Sequence, residues 1–88
     1  MHEDSLLEFP CDFPIKIMGR DEEDDFRSEA VAIVEAEVGP LPDGAVSTQS
    51  SRNGRFLSVT VTVRAESREQ LDSLYRRLSD HERVLVVL

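Results

Sequence analysis

One cysteine in 88 residues, Cys11, has no partner for an intramolecular disulfide, so the fold must hold without covalent staples and a reducing, cytoplasmic setting fits. Tryptophan is absent, and the aromatics are four Phe and one Tyr. Val, Leu, Ile and Ala therefore have to fill whatever core forms. No apolar run approaches the roughly 20 residues that a membrane-spanning helix needs. The opening residues Met1-His2-Glu3-Asp4-Ser5 are acidic where a secretion signal would be basic. Basic charge is scarce too: 18 acids face 10 bases, for a formal net charge of −8. Nucleic-acid affinity comes largely from Lys and Arg neutralising phosphates, so the balance argues against a nucleic-acid partner, and it would repel anionic membrane surfaces.

What is present is organised around residues 53–65. From Leu57 to Val63 apolar and hydroxylated residues alternate without a break, the period of a strand with one buried and one wet face. Leu57, Val59, Val61 and Val63 point inward; Ser58, Thr60, Thr62 and Arg64 point out. Asn53-Gly54 supplies two positive φ angles for a tight hairpin turn into this strand.

The rest of the chain reads in order as follows. Residues 1–8 form an acidic tail, flexible unless Leu6, Leu7 and Phe9 dock it, and residues 9–88 form a single domain. Pro10 and Pro14 favour an extended lead-in. Phe13 to Met18 is a first strand with Phe13, Ile15 and Ile17 on one face and Lys16 opposite, ended by Gly19. The run Asp21-Glu22-Glu23-Asp24-Asp25 suits a helix N-terminus. A first helix then carries Phe26, Ala30, Ile33 and Val34 on one side and stops at Gly39-Pro40. Ala45 to Ser51 is a weaker strand, fit for a sheet edge. Ser67-Arg68-Glu69-Gln70 is a capping box opening a second helix, whose Leu71, Leu74, Tyr75 and Leu78 share a face. Arg83 to Leu88 is a final strand. The order β-α-β-β-α-β with two right-handed crossovers defines an α+β, ferredoxin-like plait. It consists of a four-stranded antiparallel sheet, order 4-1-3-2, with two helices on one face.

Three separated segments also resemble a known family. Phe9-Pro10-Cys11-Asp12-Phe13-Pro14-Ile15-Lys16-Ile17-Met18-Gly19, the stretch from Ser51 through Asn53-Gly54 to Val61, and Ser67-Arg68-Glu69-Gln70-Leu71 with Leu74-Tyr75 look like the YbeD-like family of small bacterial proteins. The resemblance implies the same ferredoxin-like plait, similar in shape to the ACT regulatory domains of amino-acid-metabolising enzymes. It supplies no reaction, cofactor or catalytic residue.

The candidate sites are few. Cys11 has no base nearer in sequence than Lys16 to activate its thiol and reads as a small buried hydrophobe. His2, His81 and Cys11 lack the spacing of a structural zinc site; His81 reads as a cap on the second helix. The 21–25 run lacks the alternation and central Gly of a calcium loop. Ser50, Ser51 and Ser58 have no partnered His, so no catalytic residue, metal or cofactor is expected. An RNA-recognition platform of this fold stacks bases on central-strand aromatics, whereas the outward positions here are Lys16, Ser58, Thr60 and Thr62, with only Phe56 near a strand start.

Two features remain. Val84 to Leu88 forms an apolar edge open to self-association unless the N-terminal segment covers it. Gly19, Arg20 and Asp21 occupy the strand-to-helix loop where ACT-like domains hold effectors, although a tight turn accounts for the Gly equally well. The expected function is thus a non-enzymatic regulatory or protein-interaction module, a monomer or weak homodimer. It would act through Lys16, Ser58, Thr60 and Thr62 or through Val84, Val86 and Leu88. A metabolite-sensing ACT-like domain is the alternative, and RNA binding comes third.

Overall fold

A computed structural model describes residues 8–21 and 25–88. The tail expectation, the docking of Leu6 and Leu7, and the middle of the acidic run lie outside those residues. The elements are β1 (Cys11–Arg20), α1 (Phe26–Val38), β2 (Val46–Ser50), β3 (Phe56–Ala65), α2 (Arg68–Ser79) and β4 (Val84–Val87). Every strand pairing is antiparallel and the sheet order is β2-β3-β1-β4, which is 4-1-3-2 read from the other edge.

The alternation in β3 does what its period requires. Leu57, Val59, Val61, Val63 and Ala65 are buried, and they join Ile15 and Ile17 of β1 in one cluster with Phe26, Ala30 and Val34 of α1 and Leu71, Leu74 and Leu78 of α2. Both helices therefore cover the same sheet face, and the other face is left open. Ser67 caps α2, its side chain accepting from Gln70 N at 3.1 Å, while Gln70 Oε1 accepts from Glu66 N at 2.7 Å. Gly39, at φ 89, closes α1 by donating to Glu35 O.

Three local expectations are corrected. Gly19 does not end β1: the strand runs through it to Arg20, because Arg20 N bonds Arg83 O at 3.2 Å and Asp21 N bonds Arg55 O at 2.9 Å, extending the pairing on both sides. The β2–β3 connection spans residues 51–55 rather than a two-residue turn. Ser51 closes it, donating to Phe56 O, accepting Gly54 N on its carbonyl, and accepting Phe56 N on its hydroxyl; Gly54 has φ 77. The acidic run does precede a helix N-terminus as expected: α1 starts at Phe26, and the carboxylate that receives its first amide is Asp21, with Oδ1 3.1 Å from Phe26 N. Finally, β4 is bulged. Met18 pairs with Val86 and Gly19 with Val84, so Leu85 is an extra residue. The bulge breaks the alternation: Val84 and Val87 both pack against the core, while Leu85 and Val86 are exposed. Val84 therefore does not share a surface with Val86 and Leu88.

Candidate functional site

The open sheet face is a grid set by register. Opposite Met18 on β1 stand Ser58 on β3 and Val86 on β4, and Ser58 in turn faces Gln49 on β2. One row over, Lys16 faces Thr60, which faces Ser47, and Lys16 exchanges two backbone hydrogen bonds with Leu88, at 3.1 and 2.8 Å. Arg20 faces Phe56, Pro14 faces Thr62, and Asp12 faces Arg64. Residues paired across a sheet share a face, so Lys16, Ser58, Thr60, Thr62, Val86 and Leu88 come together as one surface.

That surface is more apolar than its hydroxyls suggest. Among the described residues the exposed large hydrophobic side chains are Phe56 at 40%, Leu85 at 50%, Val86 at 42% and Leu88 at 63%. Phe56, Val86 and Leu88 lie on the open face around the half-buried Met18, and Leu85 adjoins them at the bulge. A shallow depression of about 180 Å³ opens there, lined by Met18, Phe56, Leu57, Ser58 and residues 49–51.

Its charge also differs in sign from that of the whole chain. Among the described residues the strands present Lys16, Arg20 and Arg64 on this face and one carboxylate, Asp12, paired to Arg64 at 3.3 Å. Both partners of that pair are well exposed, so it contributes little to stability. Carboxylates such as Glu29, Glu35, Glu37, Glu69 and Asp72 ride on the helices instead. Period-two reading of β1 could have exposed this, since Lys16 and Arg20 have the same parity.

The expected strand-to-helix loop site is dispersed. Gly19 is buried within β1, where an added Cβ would meet the Phe26 ring and stand 2.5 Å from Arg83 O. Asp21 spends its carboxylate on the Phe26 amide, and Arg20 extends onto the open face, away from that contact.

Sequence reading missed a polar cluster where α1, α2 and β4 converge. Arg83 reaches Asp25 Oδ1 at 2.6 Å and Glu29 Oε2 at 2.7 Å, and His81 Nε2 lies 2.9 Å from Glu29 Oε1. His81 Nδ1 accepts from Arg83 N at 3.2 Å, which leaves Nε2 to carry the proton donated to Glu29. The ring of His81 thus ties Glu29 to the start of β4 rather than capping α2, although its backbone N–H does bond Leu78 O. The Arg83 guanidinium holds the Asp25 carboxyl below its ordinary value, and the two carboxylates raise that of Arg83 in return. No short sequence spacing announces this cluster, because its members are brought together by chain reversal.

Among the described residues no group of three His, Cys, Asp or Glu side chains could hold a metal, and no helix is long and apolar enough to cross a membrane. Cys11 is half-buried against the core.

Comparison with known proteins places the sequence among close relatives. A family model described as protein of unknown function (DUF493) matches residues 4–88. The chain is 48% identical over its whole length to the whole of a UPF0250 protein of Nitrosomonas europaea. It is 48% identical, over 97% of its length and 94% of the relative's, to a UPF0250 protein of Paraburkholderia phytofirmans. Among solved structures, protein HP0495 from H. pylori superposes with a TM-score of 0.71 at 17% identity, covering 100% of this chain and 94% of that one. At that identity the likeness speaks for the fold alone.

Proposed function

The chain belongs to the DUF493 family of proteins of unknown function, and on that premise we propose that it is a non-enzymatic regulatory module that acts by docking a protein partner on its open sheet face and the adjoining β4 edge. The observation that carries this reading is the gathering of exposed apolar side chains in one place: Phe56, Val86 and Leu88 around Met18, with Leu85 beside them. Scattered exposed hydrophobes are ordinary, whereas a contiguous set rimmed by polar residues marks an interaction surface. The polar rim is Ser58, Thr60, Thr62 and Lys16. The depression beside Phe56 is too shallow to enclose a drug-sized ligand. A cytoplasmic setting suits the lone cysteine.

Cross-linking in a bacterial cytoplasmic extract, followed by mass spectrometry, tests the reading with wild type, Phe56→Asp and Val86→Lys side by side. Light scattering on the purified proteins reports self-association. The expected result is a reproducible partner, or a second copy, that both folded variants lose. A wild type that engages nothing, or an association that both variants retain, overturns docking through this face.

A further inference from the structure

Resting on that docking reading, we infer that the occupant of the open face is an acidic segment of a partner protein, with carboxylates interspersed among apolar side chains. Along β1 the open face reads Lys16, Met18, Arg20: cation, thioether, cation, the two cationic residues set about 13 Å apart along the backbone at strand rise. Neither cation makes an ion pair among the described residues. On either side of Met18 lie Val86 and Ser58, with Phe56 across from Arg20. The complement of that pattern is a segment that puts an apolar side chain over Met18 and carboxylates over Lys16 and Arg20.

Net charge does not forbid this, because screening makes the attraction local. At physiological salt the Debye length is about 8 Å, so a short segment on this face is governed by Lys16 and Arg20, while the carboxylates on the helices, behind the sheet, are largely screened. A long nucleic acid is in a different position. It would run past the strand ends toward Asp43, Glu66 and Glu82 in the connecting loops, and the open face offers its bases one exposed aromatic, Phe56. A peptide satisfies the face with a few residues.

The test is titration of the isotope-labelled protein, followed by amide shifts, with three probes. These are a short peptide of alternating Glu and Leu, the same peptide with Lys in place of Glu, and oligouridylate. The Glu-Leu peptide is expected to shift amides of β1 and β3 and to weaken at high salt. It should lose roughly tenfold or more in affinity against Lys16→Glu/Arg20→Glu, with a smaller loss against Lys16→Gln/Arg20→Gln, which adds no repulsion. If both peptides dock equally on the open face, the acidic preference is wrong and the docking reading stands. If neither peptide perturbs that face, the inference fails, and the cross-linking outcome separately decides the docking reading. Tighter engagement of oligouridylate than of the Glu-Leu peptide would also overturn it, in favour of nucleic acid.

Discussion

Gly19 is held in place by what surrounds it. The Phe26 ring lies over its α-carbon and the Arg83 carbonyl approaches from β4, so even a methyl group has no room. Neither neighbour can withdraw freely: Phe26 is buried in the core and Arg83 O bonds Arg20 N. Gly19→Ala should therefore destabilise the fold by about 1–3 kcal/mol, the usual cost of overpacking. Urea denaturation measures this, and Phe26→Leu in the same chain should recover part of the loss relative to its own single-variant baseline, since it removes the ring that the methyl meets. An additive pair of losses would mean that the clash is not with Phe26. Leu85 makes the opposite point. It is exposed because the bulge leaves it unpaired, although its neighbours are all apolar.

Helix α1, the end of α2 and the start of β4 are joined by Arg83, Asp25, Glu29 and His81, and this junction fixes the edge strand on the body of the domain. Asp25 binds its proton less tightly in the folded chain than in the unfolded one, because Arg83 stabilises its charged form. Its contribution is thus complete above the ordinary carboxylate value of 3.8 and disappears as pH falls through the lower folded-state value. Arg83 stays charged throughout this range. Arg83→Met should lower the melting temperature at neutral pH, and the gap between variant and wild type should narrow in acid. Melting curves across the acid range check this; a constant gap would assign the loss to packing of the Arg83 stem instead of its charge.

The whole molecule is a two-layer structure with very unequal faces. Among the described residues its core contains thirteen buried hydrophobic residues and no buried polar or charged side chain, and net stability for a chain of this size is on the order of 5 kcal/mol. Val61→Asp should cost about 3–5 kcal/mol or more, an unpaired charge among apolar neighbours, and leave the chain largely unfolded by circular dichroism. Thr62→Glu, the next residue but on the exposed face, should stay within about 1 kcal/mol. Comparable losses at both sites would mean that the open face is covered. The formal charge of −8 is likewise a property of the whole, while the open face has the opposite local sign.

Periodicity is a local property, and much of the fold follows from it. The alternation from Leu57 to Val63, the spacing of Phe26, Ala30 and Val34, and the capping box at Ser67 were enough to settle the order of elements, their faces and the ferredoxin-like sheet order. The Ser58, Thr60 and Thr62 surface was legible for the same reason. Other features depend on which distant residues meet. The bulge that turns Val84 inward and Leu85 outward exists only in the register of β4 against β1. The constraint on Gly19 comes from Phe26 and Arg83, one on a helix and one across the sheet. The junction around Arg83 joins residues up to 58 positions apart. The basic open face is intermediate: parity puts Lys16, Met18 and Arg20 on one side once β1 is seen to run through Gly19, but only the paired strands bring Val86 beside Met18 and Phe56 across from Arg20. Tertiary structure decided these points because contact, burial and screening act through space, and chain order constrains them only where neighbours in sequence are also neighbours in the fold.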